Sequence, residues 1–209
     1  QVLSSAASDV YKRQYHSWDD FEDADRNTNA PNIIMTGSLD GNVSAIKVSP
    51  FTTDSSTIFV GTESGSVFKV TNADTADAND NSTANWSNIT GSQFLGSVSD
   101  IEFGKDENHI FVTFHNYGVE NIFYSEDGGQ SWTEKEGNLP DIPVRCILQN
   151  PLSLNEVIIG TELGVWYTKN FESDNPDWSR ANSGMSDVRI TDLDTVSYTH
   201  LTLPTTTPV

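Results

Sequence analysis

Trp86, Trp132 and Trp178 stand 46 residues apart, and each is followed twelve positions later by an apolar residue: Val98, Val144 and Ile190. A fixed spacing of this length marks a repeated supersecondary unit. One such unit cannot bury its apolar face alone, so neighbours must stack. The run Val43-Ser-Ala-Ile46-Lys-Val48-Ser-Pro50 matches Val98-Ser-Asp-Ile101-Glu-Phe103, Val144-Arg-Cys-Ile147-Leu-Gln-Asn-Pro151 and, cut short, Ile190-Thr-Asp-Leu193-Asp194.

A second apolar run follows in each complete copy: Thr57-Ile-Phe-Val-Gly-Thr62, His109-Ile-Phe-Val-Thr113 and Glu156-Val-Ile-Ile-Gly-Thr161. The third is Ser66-Val-Phe-Lys-Val-Thr71, Asn121-Ile-Phe-Tyr-Ser125 or Val165-Trp-Tyr-Thr168, and the tryptophan opens a fourth. These runs are short, β-branched and aromatic, and Gly, Asn and Asp clusters separate them, so they read as strands. Helical periodicity is absent over any long window. Four short strands per unit of about 46 residues predict an all-β chain: an incomplete β-propeller of four-stranded antiparallel blades, about three of them with partial flanking units.

The spacing also sets expected boundaries. Residues 15–42 would end a preceding blade and its loop, 43–97 form a blade, 98–143 and 144–189 two more, and 190–195 the first strand of another. The first interval, Val43 to Val98, is 55 residues, and its surplus of nine falls in the polar stretch Asn72–Asn85. Lengthening a surface loop costs only about 0.6 kcal/mol per doubling, so the flanking strands are expected to be unchanged by this acidic insertion. The two ends read differently. Ser4–Gln14 and Val196–Thr205 can be encoded by the two strands of one oligonucleotide, which resembles a transposon-derived sequencing adapter. Segments 1–14 and 196–209 are therefore expected to be non-native.

Composition narrows the partners. Lys and Arg number 11 against 30 Asp and Glu, a net charge of −19. Setting aside Lys12, Arg13 and Asp9 of the adapter-like ends leaves it about one unit more negative. Nucleic acid is disfavoured as a partner, since phosphate contacts need clustered basic side chains. No apolar run approaches the roughly 18 residues of a membrane span, so membrane insertion is not expected. The single Cys146 lies in an apolar strand and reads as an inert core thiol.

One specific motif stands in the second full unit. Ser125-Glu-Asp127-Gly-Gly129-Gln-Ser-Trp132 fits Ser-x-Asp-x-Gly-x-x-Trp. Asp127 can accept bonds from backbone N–H groups of its own turn, Gly129 can take a conformation that a β-carbon resists, and Trp132 can bury its ring between sheets. Thr168-Lys-Asn170 before Trp178 retains a hydroxyl and a carbonyl acceptor. Thr71-Asn-Ala73 before Trp86 has lost the acceptor, and the insertion stands in its place.

The motif resembles the Asp-box, or bacterial neuraminidase repeat, found in sialidases, xyloglucanase-like glycosidases, sortilin-type receptors and assembly factors similar to those of photosystem II. Segments such as Gly160–Trp166 and Asn182–Asp187 look most like secreted, multi-bladed surface propellers of Bacteroidetes-type bacteria. This resemblance implies an extracellular or cell-surface location and a non-catalytic module that binds a glycan or protein. Its alternative implication is a fragment of a sialidase- or xyloglucanase-like glycoside hydrolase. Ser125, Asp127, Gly129 and Trp132 are structural in those families and lie away from the substrate face, so none is expected to be catalytic.

The face opposite the motif would be built from loops joining second to third strands, and fourth strands to the next first strand. Its longest loop is His115-Asn-Tyr117-Gly-Val-Glu120, which makes His115, Tyr117 and Glu120 the candidate ligand-face residues. Glu63, Glu162 and the stretches 134–141 and 180–187 share that face. The arginines Arg26, Arg145, Arg180 and Arg189 stand in no sialidase-like context. For a hydrolase with opposed acids, Asp100, Asp141 and Asp192 are the formal options. No cofactor is expected; Asp19–Asp25 and the series Asp74, Asp77 and Asp80 could offer oxygen ligands to Ca²⁺ but lack the pattern of an EF-hand loop.

Overall fold

A computed structural model describes residues 39–52, 56–73, 84–181, 184 and 187–194. Among them are twelve strands and no α-helix. The first unit comprises β1 (Val43–Val48), β2 (Ile58–Thr62), β3 (Val67–Thr71) and β4 (Asn85–Asn88). The second holds β5 (Val98–Phe103), β6 (Ile110–Phe114), β7 (Ile122–Ser125) and β8 (Thr133–Glu134), and the third β9 (Val144–Gln149), β10 (Val157–Thr161), β11 (Gly164–Thr168) and β12 (Ser179–Arg180). Each unit is one antiparallel meander in chain order. First strands contact one another, β1 with β5 and β5 with β9, so the sheets stack with their first strands side by side, as propeller blades do. The fold is an incomplete β-propeller.

Register explains which residues face which neighbour. Ile46, Ile101 and Ile147 pair with Val60, Val112 and Ile159 on the second strands, and these pair in turn with Phe68, Phe123 and Trp166 on the third. Side chains alternate faces along a strand, so this row forms the leading face of each sheet. Phe59, Phe111 and Ile158 belong to the trailing face. Two cores result. One holds Phe59 from the first sheet with Val98, Ile101, Phe103 and Phe123 from the second, and the other holds Phe111 from the second with Val144, Ile147 and Ile159 from the third.

Every first strand also carries a bulge at the same place in the repeat. The register shifts between Val43 and Ala45, between Val98 and Asp100, and between Val144 and Cys146 opposite Gly160 and Thr161. The extra residues are Ser44, Ser99 and Arg145. A bulge adds local twist, and here one of them also reaches across a seam: Ser99 Oγ lies 2.8 Å from Thr113 Oγ1 and donates to Val144 O of the next sheet at 2.7 Å.

Between the first and second sheets the backbone comes too close for a side chain. A Cβ on Gly61 would lie 2.5 Å from Val98 Cγ1. The same seam is laced at its edge by charge. Lys47 Nζ meets Glu102 Oε2 at 2.5 Å, and Glu107 takes Lys69 Nζ at 2.8 Å and the hydroxyls of Ser49 and Thr52. Burial works against the charge of Glu107, but these bonds outweigh it and hold its carboxyl below the usual range.

The structure differs from the sequence reading at two points. Val70, rather than Thr71, occupies the place of Ser125 and Thr168, because Ile58 pairs with Val70 as Ile110 pairs with Ser125 and Val157 with Thr168. The first sheet has therefore lost the hydroxyl, while Asn72, at the place of Asp127 and Asn170, keeps a side-chain carbonyl that the sequence reading placed one residue off. The segment 190–194, expected as the first strand of a further unit, forms no strand. Ile190 still takes that strand's place: its N–H donates to Thr161 O at 3.0 Å, and a Cβ on Gly160 would meet its Cγ2 at 2.5 Å. Most of the expected lead-in, residues 15–38, and most of the acidic insertion lie outside the described residues, as do both potential Ca²⁺ segments and the adapter-like ends.

Candidate functional site

The two rims of the arc are built differently. The rim of β7–β8 turns carries Ser125, Asp127, Gly129 and Trp132 in one bonded turn. Ser125 is fully buried; its Oγ donates to Asp127 Oδ1 at 2.8 Å and accepts from Gly129 N at 2.8 Å. Asp127 accepts from Ser131 N at 2.9 Å through Oδ1 and from Ser131 Oγ at 2.6 Å through Oδ2. Gly129 has φ +89°, and a Cβ there would lie 2.8 Å from Ile89 of the preceding sheet. Only glycine combines that backbone with that closeness.

Trp132 then leaves the turn and fastens to the sheet before it. Its Nε1 donates to Ile89 O at 2.8 Å, and its ring meets Phe94 edge-on at 5.1 Å. The third sheet repeats the device with other chemistry. Thr168 Oγ1 donates to Asn170 Oδ1 at 2.8 Å, Asp177 N donates to the same Asn170 oxygen at 2.9 Å, and Trp178 Nε1 donates to Lys135 O at 3.1 Å. Ile89 and Lys135 each lie 43 residues before the indole that uses them. Trp86 Nε1 is buried with no partner among the described residues.

The bonds from Ser131, with Ser125 adding to them, hold the Asp127 carboxyl down at about 2. A carboxyl depressed by folding stabilises the fold above its ordinary value near 4, and that contribution disappears as pH falls from about 4 through about 2. Asp127→Asn keeps one acceptor and removes the titration. Near-UV circular dichroism followed from pH 5 to pH 2 should therefore show a shallower acid limb for the variant than for the parent.

On the opposite rim the loops β6–β7 and β8–β9 meet, tied by Gly118 N donating to Asp141 Oδ1 at 2.7 Å. Between them lies a cleft of about 450 Å³ lined by Glu120, Glu134, Glu136, Asp141, Leu139 and Asn175, among others. Glu136 is almost wholly buried, and its Oε2 accepts from Asn121 N at 2.7 Å. Burial, helped by Glu120 and Glu134, pushes its carboxyl up to about 7 despite that bond. Burial and the nearby Glu134 also raise Glu120. Crowding and poor solvation thus both favour the protonated form of Glu136 and Glu120.

The structure divides the three loop candidates. Glu120 lines the acidic cleft. His115 does not: its Nε2 sits 2.6 Å from Glu162 Oε1 in the next sheet, which also takes Arg145 Nε at 2.6 Å. Those bonds, led by the one from His115, lower the Glu162 carboxyl. Tyr117 is exposed at the loop tip. The sequence did not single out Glu136, although Glu134 and Glu136 stand two apart after a short strand, a spacing that can return both to one side.

The formal acids fall elsewhere. Asp100 lies in the seam between first strands, where its Oδ2 accepts from Ile147 N at 3.1 Å and burial raises its carboxyl to about 6. Asp141 is committed to the Gly118 amide, and Asp192 Oδ1 accepts from Leu193 N at 2.8 Å. Burial pushes the Cys146 thiol up to about 12, which keeps it protonated and unreactive. Among the described residues no group of three or more His, Cys, Asp or Glu side chains is arranged to hold a metal ion.

No family model matches the chain, and no curated protein is similar to it. Among solved structures it is similar to an ancestral GH74 enzyme, with 24% identity and a TM-score of 0.48 over 69% of this chain and 19% of that one. It is also similar to YCF48 from Cyanidioschyzon merolae, with 16% identity and a TM-score of 0.48 over 66% of this chain and 40% of that one. The chain thus spans less than half the length of either protein.

Proposed function

We propose that this chain is part of a secreted or cell-surface β-propeller whose loop rim binds a glycan or a protein without transforming it. The observation that carries this reading is the cleft of Glu120, Glu134, Glu136 and Asp141 on the rim opposite the Ser125–Trp132 turn. Carboxyl groups accept from sugar hydroxyls and from Lys or Arg side chains, and the exposed Tyr117 beside the cleft offers a ring on which a pyranose or an aliphatic stem can lie. In this reading the Ser125, Asp127, Gly129 and Trp132 turn is an Asp-box, supported by the bonds Asp127 makes within its own turn. It fastens blades and leaves binding to the other rim.

The test is a glycan-array and basic-peptide binding screen of the 209-residue chain, repeated with Glu120→Gln/Glu134→Gln and with Tyr117→Ala. Each variant is expected to weaken a bound ligand about tenfold or more, the loss of one good polar or stacking contact. Binding that is unaffected by both variants would place the ligand elsewhere and overturn the proposal.

One observation favours a second reading, a glycoside hydrolase fragment. Burial, helped by Glu120 and Glu134, raises the Glu136 carboxyl to about 7, and a carboxylic acid raised by its surroundings with a second carboxyl near it is the pairing that glycosidic cleavage uses. Release of reducing ends from a polysaccharide, abolished by Glu136→Gln, would decide for it.

A further inference from the structure

Both seams between sheets hold an ammonium over an aromatic ring, and only the first pairs it with a carboxylate. Lys69 Nζ lies 5.5 Å from the Phe59 centroid and 2.8 Å from Glu107 Oε1. At the second seam Lys135 Nζ lies 5.5 Å from the Phe171 centroid and donates to Ser173 O at 2.8 Å, with no carboxylate partner among the described residues. Lys135 is 6% exposed. An ammonium carries three donors, so two remain, and a buried charge short of partners is costly.

Lys135 lines a cavity of about 210 Å³ in this seam, together with Tyr124, Phe171, Lys105, Glu126 and Glu172 among others. Tyr124 is half-buried, and its ring meets Phe171 edge-on at 5.2 Å. Its hydroxyl has no hydrogen-bond partner among the described residues. Burial, with Glu126, Asp106 and Glu172 nearby, raises that hydroxyl, so it stays a neutral donor. Ser125, Asp127, Gly129 and Trp132 do not line the cavity, so the blade-fastening turn keeps its own bonds.

Size and charge limit what can enter. Pockets for drug-sized ligands run from about 300 to 1,000 Å³, so this one suits a single small ring. Lys105 and Lys135 stand against Glu126, Glu172 and Asp174, so an anion meets carboxylates and a cation meets a buried ammonium. A neutral polyhydroxyl avoids both conflicts. Each of its hydroxyls donates and accepts, which suits walls that mix ammonium, phenol and carboxylate, and its C–H face can lie against an aromatic ring.

We propose that this cavity binds one neutral hexose ring, with Lys135 Nζ and Tyr124 Oη donating to its hydroxyls and Glu126 and Glu172 accepting from them. The site is separate from the cleft of Glu120, Glu134 and Glu136 and does not depend on it. A free sugar and the end unit of a glycan share this chemistry.

NMR titration of the ¹⁵N-labelled 209-residue protein with glucose, galactose and mannose, and with their methyl glycosides, tests this. At least one sugar is expected to shift the amides of Tyr124, Lys135 and Phe171, with a Kd on the order of millimolar for so small a ligand. A methyl glycoside that shifts the same amides marks the end of a glycan, and a response to the free sugar alone marks a free hexose. Tyr124→Phe removes a hydroxyl that no described residue uses, so it should leave the thermal midpoint unchanged and weaken the sugar about fivefold. Lys135→Met keeps the apolar stem and should weaken it about tenfold or more. No shift at these amides with any of the sugars, a Tyr124→Phe variant that binds like the parent, or shifts confined to the cleft and lost in Glu120→Gln/Glu134→Gln would each overturn the proposal.

Discussion

Trp178→Ala is expected to lower stability by about 3–5 kcal/mol, read as a drop in urea midpoint at unchanged slope. The ring is 3% exposed, lies in the core between the second and third sheets, and meets Phe171 edge-on at 6.5 Å. Truncation empties that space, and the cavity does not close because sheets on both sides hold it open. It also frees Lys135 O, and an unmade buried bond costs about 1–3 kcal/mol on its own. Trp178→Phe separates the two effects, since it keeps most of the packing and loses the bond; its penalty should be clearly smaller. Trp132→Ala should cost less than Trp178→Ala, because Trp132 is only partly buried at the earlier seam. For a domain whose whole stability is of order 5–15 kcal/mol, the Trp178 penalty is a large fraction.

Phe111→Ala is expected to be as damaging, again about 3–5 kcal/mol. The side chain is fully buried on the trailing face of the second sheet, with Tyr124 at 4.7 Å and Phe171 at 5.2 Å between ring centroids. Phe171 belongs to the third unit, so this cluster is a seam as much as a core. Phe111→Ala/Phe171→Ala should therefore cost less than the two single changes added, since the second removes a contact the first has already broken. Leu152→Ala, at a side chain 94% exposed, serves as the control and should stay within about 0.5 kcal/mol of the parent.

Much of this architecture was legible in the chain because the repeat states the same solution several times. Val98, Val144 and the tryptophans fall at equivalent positions in neighbouring sheets, and the apolar runs around them are the strands. The turn from Ser125 to Trp132 was legible too, since a hydroxyl, a carboxylate and glycines at that spacing can bond only within a short loop. What escaped was set by register and by contacts between units. The bulges at Ser44, Ser99 and Arg145 leave no composition signal. Thr71-Asn-Ala73 invites alignment with Thr168-Lys-Asn170 through its hydroxyl, and only strand pairing shows that Val70 and Asn72 hold the corresponding places.

The loop rim was legible as a face and not as a site. His115, Tyr117 and Glu120 share one loop, yet the fold sends His115 to Glu162 and leaves Glu120 beside Glu134 and Glu136. Partners drawn from a neighbouring sheet decide such matters, and linear spacing does not report them. Burial, which raises the Glu136 carboxyl, is likewise a property of the assembled loops.

Tryptophan indoles fasten the second and third sheets each to the one before. Hydrogen exchange at the indole Nε1–H groups, followed by ¹⁵N-resolved NMR, tests it most directly. Trp178, and to a lesser degree Trp132, are expected to exchange only through large-scale opening and to outlast Trp86, whose N–H has no acceptor among the described residues. Exchange of Trp132 and Trp178 as fast as that of Trp86 would contradict it.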